Sequence, residues 1–468
     1  MATGSRAGAL ARGDEYIESG RFEAELAKRV AVRTESQKPQ YALPELHRYL
    51  HQEMVPAFEA LEFACKIYEN PVEGLGPILL ASRIEGDDRP TVLGYGHGDV
   101  IRGLEDEWTK GEGPWVLARD GDVLYGRGTA DNKGQHTINM AAMRAVLAER
   151  GALGFNAKFL IEMGEEAGSV GLRELIESHR DDFAADVFIA SDGPRVRPDR
   201  ATVTLGHRGL QNFDLACELR AGGHHSGNWG GLLANPGLIL AHALASIVGP
   251  NGEIRIPEWL PPQPSPAVKE VLADIEIDAG PGGPAIDRDW GEPGLSPAEK
   301  VYASSSFNVL AYTTGTPERP VNAIPPKARA NCQLRYFAGV DDDDVIPALR
   351  RHLQARGFDR VTVEPPPAAN AGSFRASRTE PDHPWSLWVR GSVEHTIQAQ
   401  PAVLPGMGGS ICNDLFTDLL GLPAIWLPHS YAGCSQHAPD EHVLLPVCRN
   451  AMQVMTGLYW DLGAGGTP

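Results

Sequence analysis

Long apolar runs are missing from this chain of 468 residues. None approaches the ~20 consecutive apolar residues that a bilayer-spanning helix needs. The opening stretch, MATGSRAGALARGDEYIESGRF, also lacks the apolar segment of a secretory leader. No membrane partner is expected, and the chain reads as cytoplasmic. Cysteine is scarce: six residues, at 65, 217, 332, 412, 434 and 448, with no C-x-x-C pair among them. Such scatter offers no disulfide framework and suits free thiols in a reducing compartment. Positive charge is in deficit, with 42 Lys and Arg against 61 Asp and Glu and a net charge of −19. A surface of that sign repels phosphate backbones, which argues against nucleic acid and anionic membrane as partners.

What is present is the composition of an ordinary globular protein, 42% hydrophobic and 22% charged, with 52 glycines and 37 prolines that imply many loops. The length exceeds what one hydrophobic core usually serves, so two domains are expected. From Phe22 to Phe58 apolar residues recur at helical spacing; FACKIYEN, PILLASRI and TVLGYGHGDV then read as strands. Helix and strand alternate afterwards: GQHTINMAAMRAVLAERG, NAKFLIEMGEE, SVGLRELIESHR and ADVFIASDGP. That order predicts an α/β domain with a mostly parallel mixed sheet flanked by helices, and sites at the C-terminal ends of its strands.

After TVTLGHRGL the pattern changes to QNFDLACELR, a Gly-rich stretch, the helix NPGLILAHALASIVG and a proline-rich region from Ile256 to Pro297. A strand in KARANCQLRYFAG, a helix in DDDDVIPALRRHLQARG and a strand in RVTVEPP follow. We expect an inserted α+β domain over 208–380, between a first domain over 1–207 and its return over 381–468. The four aspartates at 341–344 read as a helix start, where the macrodipole favours acids, in preference to a cation site.

LYGRGTADNKG, residues 124–134, has the look of a phosphate cradle, but two nucleotide templates fail on it. A dinucleotide loop needs a small residue three places after Gly128, where this chain has Asp131. A P-loop needs Gly, Lys and then Ser or Thr, where this chain runs Lys133, Gly134, Gln135. An aspartate at the centre repels phosphate and attracts a cation, so the loop points to a metal.

Other residues of metal-ligand type surround it. His97 and Asp99, two apart on a strand, project from the same face, so that one could bind a cation while the other steadies it. Glu165 and Glu166 follow the apolar FLIEM, and Asp192 follows VFIA. Each alone reads equally as a satisfied polar pair or a helix cap. Together they are acids at the ends of apolar strands, and buried carboxylates are costly without a partner such as a metal. His136, His429 and His442 read as packing or surface histidines, and Cys434 has no base to make it a nucleophile.

In this order GHGDV, LYGRGTADNKG, GEEAGSVGL, SDGP, HHSG, VNAIP and QHAPDE are similar to the motifs of the zinc-dependent metallopeptidase family that includes carnosinase-like dipeptidases, aminoacylase, carboxypeptidase G and acetylornithine deacetylase. The resemblance runs from about Thr91 to His437. It implies two zinc ions, with manganese or cobalt suited to the same ligands. By the resemblance Asp131 is shared between them, His97 and Asp192 complete one site and Glu166 and His437 the other. Asp99 then orients His97, Glu165 is the general base, and the Asp131–Asn132 peptide is cis. The inserted domain resembles the family's lid, which carries the dimer contact, and this implies a homodimer. His225 of HHSG matches the histidine that reaches the partner subunit's site and stabilises the oxyanion. Asn322 and Arg335 match substrate-binding positions, and Gly408, Gly409 and Ser410 match the loop that receives a substrate carboxylate. On residue type alone, Arg335 reads equally as a strand-surface charge and the glycine loop as a plain turn. Gly98 and His207 depart from the family pattern and bear on the substrate pocket.

The expected activity is hydrolysis of an amide bond in a dipeptide or short peptide with a free carboxylate. The alternative is an amidohydrolase acting on N-acyl or N-carbamoyl amino acids. A non-catalytic metal-binding relative is the third reading; retention of Glu165 beside a full ligand set argues against it.

Overall fold

The computed structural model describes residues 4–37, 39–277, 284–366 and 373–468. The chain divides into two compact units, one of Met1–Gly206, Thr379–Pro405 and Ile411–Pro468, the other of His207–Arg378 and Gly406–Ser410. The short Gly406–Ser410 segment, left with the returning part of the first domain in the sequence reading, therefore belongs to the second unit. A bridge between His207 and Met407 holds it there, and Gly406 lies so close to the Phe337 ring that a Cβ would sit 2.2 Å from it.

The first unit is built on an eight-stranded sheet in the order Ala64–Tyr68, Ile78–Arg83, Asn156–Glu162, Thr91–His97, Val187–Ala190, Ala424–Trp426, Thr202–Thr204, Ala402–Leu404. The four strands from Asn156–Glu162 to Ala424–Trp426 run parallel, and antiparallel pairings occur on either side of them. Thr91–His97 is buried along nearly its whole length, which explains its run of apolar and small residues in place of an alternating pattern. The helix Lys133–Arg150 packs against this sheet and stops at Gly151, whose φ of 81° is the left-handed conformation a helix C-cap favours. Tyr95, Phe188, Phe416 and Trp426 form an aromatic knot on the sheet, with Phe188 stacked on Phe416 at 3.8 Å between centroids. Packing of this kind contributes about 0.5–1.5 kcal/mol per pair beyond area burial. It anchors the parallel strands from whose ends the site projects.

The second unit is an antiparallel sheet, Ser306–Thr314, Lys327–Tyr336, Gly209–Glu218 and Thr362–Glu364, with the helices Pro236–Ile247 and Val345–Ala355 packed on it. Lys327–Tyr336 alternates between outward and buried positions, sending Ala328, Ala330, Cys332, Leu334 and Tyr336 into the core. Asn235 caps the first helix, accepting from the amides of Gly237 and Leu238, with Pro236 at the first helical position. The four aspartates at 341–344 all take local partners. Asp341 accepts from the amide of Asp343, Asp342 from the Tyr336 hydroxyl, Asp343 pairs with Arg375 and Asp344 with Arg351. They start a helix, as the macrodipole argument expects. Among the described residues no helix is long and apolar enough to cross a membrane.

Candidate metal centre

The parallel strands place the expected ligands at one end of the sheet. His97 closes its strand, Glu165 and Glu166 follow Asn156–Glu162, Asp192 follows Val187–Ala190, and His437 lies beyond Ala424–Trp426, on the loop after the short strand Ser430–Tyr431. Neighbouring parallel strands end side by side, so these side chains converge although they are far apart in sequence. Asp131 arrives differently. It sits between the strand Val123–Tyr125, which belongs to a separate three-stranded sheet, and the helix Lys133–Arg150, so it is not at the end of a central strand.

The loop's glycines serve close backbone approach. Gly128 has φ 87°, and a Cβ on Gly134 would sit 2.0 Å from the Thr129 carbonyl oxygen. The Asp131–Asn132 peptide is cis. The Asn132 side-chain amide donates to the carbonyl of Ser191 at 2.8 Å, joining the loop to the residue before Asp192.

Two candidate ligand groups result, and they share one residue: His97, Asp131 and Asp192 form one, and Asp131, Glu166 and His437 the other. In the first, His97 Nε2 lies 2.9 Å from Asp131 Oδ1 and 3.6 Å from Asp192 Oδ2. In the second, His437 Nε2 lies 3.2 Å from Asp131 Oδ2 and 2.9 Å from Glu166 Oε2. The two oxygens of Asp131 thus face different groups. Gln436, which the sequence reading did not single out, donates to Asp131 Oδ2 at 3.3 Å.

Asp99 has two tasks. His97 Nδ1 donates to its backbone carbonyl at 3.0 Å and lies 3.4 Å from its carboxylate, which leaves Nε2 facing the acids. The carboxylate itself is engaged by the amides of Glu165 and Glu166, each at 3.1 Å. Asp99 therefore orients the glutamate turn at least as firmly as it orients the imidazole. Glu165 Oε2 is 4.0 Å from His97 Nε2 and belongs to neither ligand group.

Charge in this cavity is out of balance. Burial pushes the Glu165 carboxyl well above the ordinary carboxylate range, Glu166 to about 7 and Asp192 to about 6. Burial disfavours charged His97 too, but hydrogen bonds to Asp131 and Asp99 outweigh it and raise the imidazole well above its usual value. His437, hydrogen-bonded by Asp131 and Glu166, is raised to about 11. For Asp131 burial acts upward, and the two imidazoles together override it and hold the carboxyl below its usual value. The buried carboxylates outnumber the imidazoles, an excess of negative charge that divalent cations would balance. Each group combines one imidazole with carboxylates, a donor set that suits first-row divalent cations, so the residues fit a metal.

The remaining expected site residues lie in the second unit, where they fall into two clusters. His225 pairs across a short antiparallel ladder with Ala323, next to Asn322, whose carbonyl accepts from the Ser226 amide at 2.9 Å. His225 Nδ1 accepts from the Gly227 amide at 3.1 Å, so its neutral ring carries the proton on Nε2. Arg335 donates to the Gly408 carbonyl and to Ser410 Oγ, both at 3.3 Å. It is thus tied to the glycine loop and is not a free strand-surface charge.

The histidines read as packing residues behave so. Buried His136 contacts Tyr49 OH at 2.7 Å and Asn132 Oδ1 at 3.2 Å. Buried His429 contacts Ser191 Oγ and Asn139 Oδ1, and His442 contacts Tyr431 OH. Cys434 is buried, which raises its thiol to about 12, far from a nucleophile's value. Gly98 is required by close packing. A Cβ there would sit 2.5 Å from the Tyr49 ring and 2.7 Å from Met163 Sδ, so Tyr49 occupies the space a side chain would need. His207 is buried as well, and burial lowers it to about 3.

A sheet that delivers two histidines and several acids onto paired ligand groups, with a further glutamate beside them, defines a metal-dependent hydrolase. The chain belongs to Peptidase family M20/M25/M40, which it matches over residues 93–461. It is 32% identical over 471 residues to the Beta-Ala-His dipeptidase of Mus musculus, covering 92% of this chain and 89% of that one. It is 33% identical over 363 residues to a Cys-Gly metallodipeptidase of Schizosaccharomyces pombe, covering 72% of each. The solved structure of the di-peptidase Dug1p from Saccharomyces cerevisiae has the same fold, with a TM-score of 0.75 over 98% of this chain and 99% of that one at 21% identity.

Proposed function

We propose that this protein is a di-zinc peptidase that cleaves dipeptides or short peptides with a free carboxylate. The observation that carries the proposal is the division of the Asp131 carboxylate, one oxygen toward His97 and the other toward His437. His97, Asp131 and Asp192 would hold one ion, and Asp131, Glu166 and His437 the other; manganese or cobalt would suit the same donors. Bound divalent cations supply Lewis acidity, which makes water a nucleophile near neutral pH and draws charge from a carbonyl oxygen. Glu165 takes the proton of the attacking water on its carboxylate and returns it to the leaving amine. Asp99 holds the turn that presents Glu165, through the paired amide contacts described above. His225, protonated on Nε2, donates to the substrate carbonyl oxygen as charge develops there.

The substrate assignment draws on the second unit and on the relatives. Arg335 beside the Gly408–Ser410 segment sets a guanidinium next to backbone that a carboxylate can approach. Nothing in the local fold requires glycine at 408 or 409, since a Cβ there would make only ordinary contacts at 3.8 and 3.7 Å; this supports a ligand-related reason for them. Asn322 is assigned to substrate binding by the family resemblance. The dipeptidases among the relatives favour the same substrate class. The test is zinc-reconstituted protein on a panel of dipeptides, N-acyl and N-carbamoyl amino acids, ranked by kcat/KM. Dipeptides should lead by at least about tenfold. An N-acyl or N-carbamoyl amino acid at the head of the ranking would make the protein an amidohydrolase instead, and no turnover of any compound would leave only a metal-binding relative.

We place the protein in the cytoplasm as a homodimer joined through the second unit. The free state of all six cysteines supports the compartment. The strand Ser306–Thr314 supports the dimer, because among the described residues it stands at the edge of its sheet and exposes Val309, Leu310 and Tyr312. If His225 acts across that dimer, mixing inactive His225→Ala subunits with inactive Glu165→Gln subunits regains roughly a quarter of the native rate, since half the dimers are mixed and each of those has one complete site. No recovery after verified subunit exchange would place His225 in its own subunit's site.

A further inference from the structure

We propose that Glu441 is a positioning residue whose carboxylate sets Asp131 and His437 in place for cation binding. The inference rests on the two-cation reading above and adds a residue outside both ligand groups. Glu441 is 1% exposed and lies four residues beyond His437. Its Oε2 accepts from Arg127 Nη1 at 2.8 Å and from the Gly128 amide at 3.0 Å, and its Oε1 from the amides of Ala130 and Asp131 at 2.9 and 3.0 Å. Its backbone carbonyl accepts from the Gly126 amide at 2.9 Å, where His442–Leu444 begins to pair with Val123–Tyr125.

One carboxylate thus collects the backbone of the loop that carries the shared ligand. Salt-bridging to Arg127 accounts for only one of its contacts; the other three are loop amides. The His437 end needs such an anchor, because the His437 side chain is 57% exposed. Its backbone lies at φ 59°, with Ser435 at 58° and Asp440 at 60°, three residues in a conformation that only surrounding contacts maintain. Those contacts lie at the end of the segment. Asp440 accepts from the amides of Thr109 and Lys110 and from Thr109 Oγ1, and Glu441 docks on the metal loop. Groups that orient metal ligands change metal affinity without touching the ion.

The test is zinc titration of metal-free native protein, Glu441→Gln and the double variant Glu441→Gln/Arg127→Met by calorimetry and equilibrium dialysis. Glutamine keeps the shape but turns an acceptor oxygen into a donor facing loop amides, and the double variant avoids stranding the guanidinium if the single one fails to fold. Circular dichroism of the metal-free proteins serves as the fold control. Expected is a loss of about 10–100-fold in affinity for one of the two ions, with a smaller loss for the other, since His97 and Asp192 are carried by strands. Two ions bound by native protein and by a folded variant with equal affinities would overturn the proposal alone. Native protein that takes up fewer than two ions would overturn the two-cation reading and this inference with it.

Discussion

Glu165→Gln should retain both cations and lose about 10²–10⁴-fold in kcat, the range that general-base catalysis supplies. Glu166→Ala, one residue away, should lose an ion. The contrast follows from the turn that carries them. Both amides are held by Asp99, so the backbone is fixed and the two side chains diverge from it. Glu166 Oε2 meets His437 Nε2 at 2.9 Å and completes a ligand group, whereas Glu165 stays 4.0 Å from His97 and outside both groups. Burial raises the Glu165 carboxyl above the ordinary carboxylate range, the direction that strengthens it as a proton acceptor. Metal content by elemental analysis and steady-state rates on the preferred substrate check the pair of outcomes. Undiminished turnover by Glu165→Gln would remove it from the mechanism, and full metal content in Glu166→Ala would remove that residue from the ligand set.

How much of this was legible beforehand depends on the kind of signal. The parallel strands announce themselves as short apolar runs, each followed by a polar ligand, because a strand buried on both faces has no other way to be written. Ser306–Thr314 carries no such mark. Its residues 308–313 are exposed, so no inward alternation distinguishes it from a loop, and the sequence reading passed over it. The candidate ligand residues were visible by type and motif, but the division of the Asp131 carboxylate between two histidines is a matter of three-dimensional approach. Glu441 stood within the quoted QHAPDE and went unassigned, because an acid bonded to backbone amides looks in sequence like any other acid. The reason for glycine at 98 was hidden in a related way: the Tyr49 ring that fills its place comes from a distant helical segment, and only the fold brings them together.

The other large effect belongs to Asp131. Asn at this position keeps the volume but replaces one ligand oxygen with an amide that cannot bind a cation, and it removes the charge that both groups share. Since Oδ1 faces His97 and Oδ2 faces His437, Asp131→Asn weakens both groups at once, where Glu166→Ala weakens only its own. Metal contributes several kcal/mol to hydrolysis of this kind, so the variant should lose about 10³-fold or more in kcat/KM. Stability offers a readout independent of rate. A ligand that binds only the folded state adds about 2.7 kcal/mol at a hundred times its Kd, so zinc should raise the melting temperature of chelator-stripped native protein and do so far less for Asp131→Asn. Activity removed from native protein by a chelator should return with zinc, while the variant stays inactive at the same zinc concentration. A variant that holds one ion at native affinity and loses the other would show that Asp131 serves a single cation, and the shared-carboxylate reading would give way to two separate sites.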